Sequence, residues 1–498
     1  MVAVPCHPQT IIRTRQLVTQ AAQVRLMRQK SFLYETVSGQ LREQIRRGSY
    51  VPGEKLPSVR QLSRIFDVSI NTILQCFRQL EAEGLIKTYA RSGVFVVRPK
   101  TPAPLSTVTP LFPMLPVEVS LSERILNFME PHIDQSIVPL GIALPAQELM
   151  PVNQVLQTYR DVTRAAPQEA WGYTHPHGYD RLNHQLARRS LNYPVPIAEQ
   201  DIVVTNGCME AMELALRAVT RPGNTVAIES PTYYGALIVL EVMGRRALQI
   251  PTIPGQGISL SALDQALRRG QVDACLFSTN AQNPLGFTMA NRQKQELVQL
   301  LARHQVPMIE NDIWGDTVFQ GPALPAKAFD EEGMVIYCNS FSKSLMPGLR
   351  LGWTAPGRFH RRILELKQVS NITTATPPQM LMSRLLESGF YQRHLQKLRG
   401  SLRSQTARMV ELIRAHFPSG TQVAEPTGGC ALWITLPDHI DTEVVFHQAL
   451  KQRIHIFPGA VFSPGRDHHN CLRINAGGPV TPELEETMAR LGELTRRL

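Results

Sequence analysis

The stretch that most constrains this chain is residues 99–120, where Pro102, Pro104, Pro110, Pro113 and Pro116 stand among serines and threonines. Each proline removes a backbone donor and fixes φ, so the segment predicts a semi-rigid linker without regular structure. It cuts the 498 residues into a short N-terminal part and a long C-terminal body. Charge divides at the same place: residues 1–98 carry +9 of the net +11, and the remainder only +2. A cationic end on a nearly neutral body suggests a polyanion-binding module attached to an ordinary globular domain. Residues 1–30 hold five basic side chains and no acid, and read as a basic extension.

Several classes drop out early. No stretch reaches the roughly 18 apolar residues of a membrane span, and the first thirty residues contain no apolar core of a secretory signal. The seven cysteines are odd in number and widely separated, with no C-x-x-C pair, so neither a disulfide framework nor a zinc site is expected. The expectation is a reduced, cytoplasmic protein with no metal and no membrane partner.

Residues 31–98 form the first domain. Leu33, Val37, Leu41 and Ile45 recur every four residues and predict an amphipathic helix. Ser58-Val59-Arg60-Gln61 is a capping box that opens a second helix. After the turn Asp67-Val68-Ser69, a third helix runs toward Gly84. On it Ile70, Ile73, Leu74, Phe77 and Leu80 are assigned to the inner face, and Asn71, Thr72, Gln75, Arg78 and Gln79 to the outer. That outer face carries no acid, and its amides, hydroxyl and guanidinium are groups that read base edges and phosphates. A short hairpin over 85–89 and 94–97 completes the pattern of a winged helix-turn-helix.

The residues Pro52-Gly53-Glu54-Lys55-Leu56-Pro57-Ser58-Val59-Arg60-Gln61-Leu62, Val68-Ser69-Ile70-Asn71-Thr72 and Ser92-Gly93-Val94-Phe95-Val96 resemble the GntR-family DNA-binding domain. The resemblance implies that Arg60, Ser69, Asn71, Thr72 and the wing-tip Gly93 approach double-stranded operator DNA. Gln75, Arg78 and Arg91 complete the candidate set. Many members of that family carry arginine where this chain has Ile70.

Beyond the linker, residues 121–498 alternate β-branched runs with helical stretches. Strands are expected at 202–205, 225–229, 274–278, 308–309 and 334–338, and helices at 209–219, 260–269 and 291–304. Such alternation predicts a doubly wound α/β sheet with ligands at the strand C-termini. Pattern alone leaves several nucleotide or phosphate binders in play, although G-x-x-x-x-G-K-[ST] and G-x-G-x-x-G are both missing. Ser340-Phe341-Ser342-Lys343 follows the last of these strands, and Arg350 comes seven residues later. An amine there could form an imine to an aldehyde cofactor, while Ser340, Ser342 and Arg350 offer donors to a phosphate.

This motif resembles that of fold type I aminotransferases, which bind pyridoxal 5′-phosphate, and further matches follow in that family's order. The resemblance implies that Tyr173, ahead of Gly178, reaches a phosphate in a neighbouring subunit. It implies that the turn Asn206-Gly207-Cys208-Met209 cradles the phosphate with backbone amides, and that Tyr233 stacks on the pyridine ring. Asn283, in Gln282-Asn283-Pro284-Leu285-Gly286, would bond the ring hydroxyl, and Arg473 a ligand α-carboxylate. The implied fold is a large doubly wound α/β domain with a smaller C-terminal α/β subdomain.

One position departs from the pattern. Where Asp-x-x-Tyr is usual, the chain reads Asn311-Asp312-Ile313-Trp314. An aspartate keeps the ring nitrogen protonated and the cofactor an electron sink, whereas an amide cannot stabilise a pyridinium. Alternate strand residues face opposite ways, so one of Asn311 and Asp312 should meet the ring, and Asn311 is the expected one. A GntR-like module joined by a proline-rich linker to such a domain resembles the MocR subfamily of bacterial regulators. That implies a transcriptional regulator and homodimer whose second domain senses pyridoxal phosphate or a small effector such as an amino acid. The competing reading is a working aminotransferase tethered to DNA; Asn311 favours the regulator, with slow half-reactions still open to it.

Overall fold

The computed structural model describes residues 33–46, 50, 53–82, 85–89, 93–97 and 114–498, apart from 135, 192–194, 196, 254, 322 and 466. The chain forms two compact units that divide at Pro104.

The first unit is built by short-range rules. Helix α1 (Leu33–Arg46) buries Val37 and Leu41, as its four-residue repeat predicts. Helix α2 (Val59–Phe66) opens on the capping box: the Ser58 hydroxyl accepts from the Gln61 amide, and the Gln61 side chain accepts from the Ser58 amide at 2.8 Å. Asp67 ends α2 in the left-handed conformation at φ 50°, and the Val68 amide closes back onto the Ser63 carbonyl. Helix α3 (Ile70–Ala82) follows at once. Strands β1 (Ile86–Tyr89) and β2 (Gly93–Val96) then pair antiparallel, giving the wing.

The phase of α3 differs from the expectation. Its inner face is Ile73, Cys76, Phe77 and Leu80, all buried, whereas Ile70 is 48% and Leu74 39% exposed. Gln79, assigned outward, is half-buried and accepts from the Ser38 hydroxyl of α1 at 2.9 Å. Cys76 packs as a small apolar residue and recentres the buried stripe. That turns Ile70 and Leu74 onto the flank of the outer face.

The second unit holds a nine-stranded sheet. Its strands are β3 (Val117–Glu118), β4 (Val203–Thr205), β5 (Thr225–Ser230), β6 (Arg246–Ile253), β7 (Ala274–Phe277), β8 (Met308–Asn311), β9 (Val335–Ser340) and β10 (Gly352–Ala355). They lie in the order β3-β6-β5-β7-β8-β9-β10-β4, with Gly257–Ile258 paired to β6. The run from β6 to β9 is parallel and the flanking pairs are antiparallel. Strands β5, β7, β8 and β9 are buried throughout, as expected where helices cover both faces. Strand β3 corrects the linker's extent, because Val117 and Glu118 pair with Ala247 and Arg246 at the sheet edge. Proline excludes the interior of a sheet but not the first residues of an edge strand.

Between these strands run α4 (Cys208–Val219), α5 (Leu260–Arg268) and α6 (Asn291–His304), within one residue of the expected bounds. The C-terminal part adds an antiparallel sheet of β11 (Gln422–Val423), β12 (Ala431–Thr435), β13 (Phe457–Pro458) and β14 (Cys471–Asn475), in the order β11-β12-β14-β13. No helix among the described residues is long and apolar enough to cross a membrane.

Candidate functional site

In the second unit the site begins at the junction of β4 and α4. Gly207 adopts φ 87°, and a Cβ there would lie 2.5 Å from the Arg350 guanidinium. Helix α4 has no side-chain cap, and among the described residues the amides of Cys208, Met209 and Glu210 have no backbone acceptor. Such a terminus presents open N–H groups and the positive end of the helix dipole. Arg350 leans over it, donating to the Asn206 carbonyl at 3.1 Å and to the Ser342 hydroxyl at 3.4 Å. The Ser340 hydroxyl accepts from the Ser342 amide, so both serines edge the same turn.

Lys343 stands just past the end of β9. Its Nζ donates to the Ala143 carbonyl at 2.7 Å and lies 5.2 Å from the centre of the Trp314 ring. Burial above all, with the charges of Arg473 and Arg350 nearby, brings its ammonium down to about 8. The free amine, which is the nucleophilic form, is therefore more populated at neutral pH than in an ordinary lysine. Trp314 is buried and closes the site as an apolar wall where a phenol is usual.

Arg473, on β14, is almost wholly buried. It donates to Asn283 Oδ1 at 3.0 Å and to the Gly141 carbonyl, while Tyr234, Phe457 and Phe462 surround its guanidinium at 4.9–5.5 Å. Its Nε has no hydrogen-bond partner among the described residues. A buried donor left unpaired costs about 1–3 kcal/mol, which a ligand oxygen would relieve. The Tyr233 ring lies over Gly235, where a Cβ would come within 2.4 Å of it; burial raises its phenol well above the ordinary value.

The end of β8 sends Asn311 and the following residue, Asp312, to opposite sides. Asn311 Oδ1 accepts from the Cys208 thiol and the Ile313 amide, both at 3.4 Å. Burial holds that thiol well above its usual range, so it stays protonated and donates. With its oxygen occupied, the amide keeps its NH2 to donate. Asp312 faces the other way, which removes it from the candidates around Lys343. Its carboxyl accepts from Asn280 at 2.9 Å and from the Tyr337 hydroxyl at 2.8 Å, and burial with Glu310 beside it pushes it up to about 8.

Of the residues singled out from sequence, Lys343, Ser340, Ser342, Arg350, Cys208, Met209, Asn283, Asn311, Trp314, Tyr233 and Arg473 line or border this cluster. Tyr173 does not join it within the chain and is 87% exposed. Sequence reasoning missed the strap Gly141–Leu144, whose carbonyls hold Lys343, Arg473 and Asn475; backbone acceptors leave no residue-type signal. No group of three or more His, Cys, Asp or Glu among the described residues could hold a metal ion.

In the first unit, Arg60, Asn71, Gln75 and Arg78 are exposed on α2 and α3. Ser69 and Thr72 have a capping role, since the Ser69 hydroxyl accepts from the Thr72 amide and meets its hydroxyl at 2.8 Å. Gly93 opens β2 at φ 113°, with Lys55 packed against it. Lys55 and Lys87, not among the DNA-contact candidates drawn from sequence, lie 5.9 Å from the Phe95 ring centre and 5.5 Å from that of Tyr89. Glu81 of α3 accepts from the Thr88 amide and hydroxyl at 2.7 and 3.2 Å, hanging the wing from the helix. Arg91 lies outside the described residues.

These two units define a class: a winged helix-turn-helix on an aminotransferase fold. Residues 137–491 match the aminotransferase class I and II family, and residues 33–96 the bacterial regulatory proteins of the gntR family. The HTH-type transcriptional regulators YjiR and YdcR of Escherichia coli K12 are 36% and 34% identical over 93% of this chain, covering 99% and 98% of their own lengths. Among solved structures, the multiple substrate aminotransferase of Thermococcus profundus is similar with a TM-score of 0.71 at 26% identity, covering 76% of this chain and 95% of its own. The Pyrococcus horikoshii kynurenine aminotransferase gives 0.69 at 27%, with the same coverage. The chain belongs to the MocR-type GntR regulators, in which a DNA-binding head precedes a class I and II aminotransferase domain.

Proposed function

We propose that this regulator binds operator DNA through α2, α3 and the wing, under the control of pyridoxal 5′-phosphate held in its second unit. The observation that carries the reading is the open N-terminus of α4, with Arg350 across it and a low-pKa Lys343 beside it. The kynurenine aminotransferase of similar fold was crystallised with PMP, which supports a B6 cofactor here.

The amides of Cys208 and Met209, with Ser340, Ser342 and Arg350, hold the phosphate. Lys343 would hold the aldehyde, Tyr233 would cover the ring, and Asn283 would bond its hydroxyl. Asn311 donates its NH2 to the ring nitrogen. When bound, the cofactor supplies an electron sink for amino-acid chemistry, and the neutral amide keeps that sink weak. Arg473 takes a ligand carboxylate, such as that of an amino acid. Tyr173, exposed in the single chain, reaches a phosphate across the two-fold axis of a homodimer, which also presents two α3 helices to paired half-sites.

Cofactor or ligand occupancy shifts DNA binding only through different affinity for two arrangements of the protein. The deciding experiment selects bound duplexes from a random pool with and without pyridoxal 5′-phosphate. The expected result is one enriched sequence whose affinity changes with the cofactor and is lost in Asn71→Ala. An enrichment indifferent to the cofactor would refute the sensor.

A further inference from the structure

Helix α3 displays an apolar edge that a solvated helix does not need. Ile70 and Leu74 are exposed, one turn apart, on the same side of the helix. At about 100° per residue they flank the outward stripe of Asn71, Gln75 and Arg78, while the inner face is filled by Ile73, Cys76, Phe77 and Leu80. No acid interrupts the part of the face from Ile70 to Arg78. Within α3 the carboxylate further along, Glu81, is turned to the wing by Thr88.

We infer that Ile70 and Leu74 are specificity residues that pack on thymine methyl groups in the major groove. The inference rests on the assignment of α3 as the DNA-reading helix and goes beyond it by naming what is read. In an A·T pair the major groove offers the adenine N6/N7 pair, which an asparagine or glutamine side chain matches, and the thymine methyl, which only an apolar side chain favours. Ile70 precedes Asn71 and Leu74 precedes Gln75, so each amide has an apolar neighbour in the next position of the chain. The two apolar residues stand about 6 Å apart along the axis, within two base-pair steps of each other. The face therefore favours a half-site with A·T pairs at its centre and phosphate contacts from Lys55 and Lys87 beside it.

The test uses the full chain and the duplex enriched by selection. Each thymine of the half-site is replaced in turn by deoxyuridine, which keeps the pairing and removes only the methyl. At one or two positions the dissociation constant should rise about fourfold, the effect of one buried methyl. In Ile70→Ala or Leu74→Ala that penalty should vanish at the matching position, and in Asn71→Ala it should persist. Equal binding of thymine and uracil duplexes at every position would overturn the inference while leaving α3 as the reading helix. A penalty unchanged in both alanine variants would overturn it too, by placing the methyl contact elsewhere. A pool with no enrichment would remove the DNA-reading assignment itself and this inference with it.

Discussion

The outward face of α3 and the end of β8–β9 solve opposite problems. The helix meets a ligand larger than itself, so its recognising groups stand in water and its fold comes from the residues behind them. The strand ends meet a small ligand that must be enclosed, so Lys343, Arg473, Asn311 and their neighbours are packed among other side chains and their chemistry is set by what surrounds them. The difference predicts how each will respond to change. A substitution on α3 should alter which duplex is bound while the fold stands; one at the strand ends should alter charge, cofactor loading and stability together.

The largest expected effect breaks the link between the two. Lys343→Ala should abolish the visible absorbance that the chain gains on loading with pyridoxal 5′-phosphate, while thermal unfolding of the first unit stays as it was. A persisting band would put the anchor on another amine. The next sharpens the reading of β8. Replacing a neutral hydrogen bond by one to a charged ring nitrogen gains about 2 kcal/mol, so Asn311→Asp should speed stopped-flow half-reactions with amino acids roughly thirtyfold. Asp312→Asn should leave them nearly unchanged, because its carboxyl is engaged by Asn280 and Tyr337. If the two results were exchanged, the facing of the strand would be reversed.

A last test concerns buried charge alone. Burial pushes Glu229 up to about 8, although Gln282 and the Ser278 amide donate to it. An unfolded glutamate titrates near 4.3. The folded chain therefore binds the extra proton between those values, and this group's contribution to stability is full at low pH and declines as pH rises through 8. Urea midpoints should fall between pH 5 and 8 in the wild type and fall less in Glu229→Gln.

What could be read from the sequence follows from range. The capping box at Ser58, the turn at Asp67 and the wing are set within a few residues of themselves, and each stands where the pattern places it. Strands β5, β7, β8 and β9 were legible because a buried parallel strand is a continuous apolar run. The lysine motif was legible because its donors are neighbours in the chain. The phase of α3 was not, since it turns on Cys76, a residue whose inward packing no polarity scale announces. Strand β3 depends on Arg246 and Ala247, more than a hundred residues away, and the Ala143 carbonyl on Lys343 has no side chain to betray it. The opposite facing of Asn311 and Asp312 was legible as a choice; the contacts with Cys208 and Tyr337 that separate them are tertiary.

The carboxylate of Glu81 joins two parts of the DNA-reading head that would otherwise be adjusted separately. Because it accepts from both the backbone amide and the hydroxyl of Thr88, the hairpin is pinned to the helix at one point. Lys87 on that hairpin, with Lys55 packed against it, is thereby tied to the helix that carries Asn71, Gln75 and Arg78. If those lysines take phosphates while the helix takes bases, the two kinds of contact should be gained and lost together.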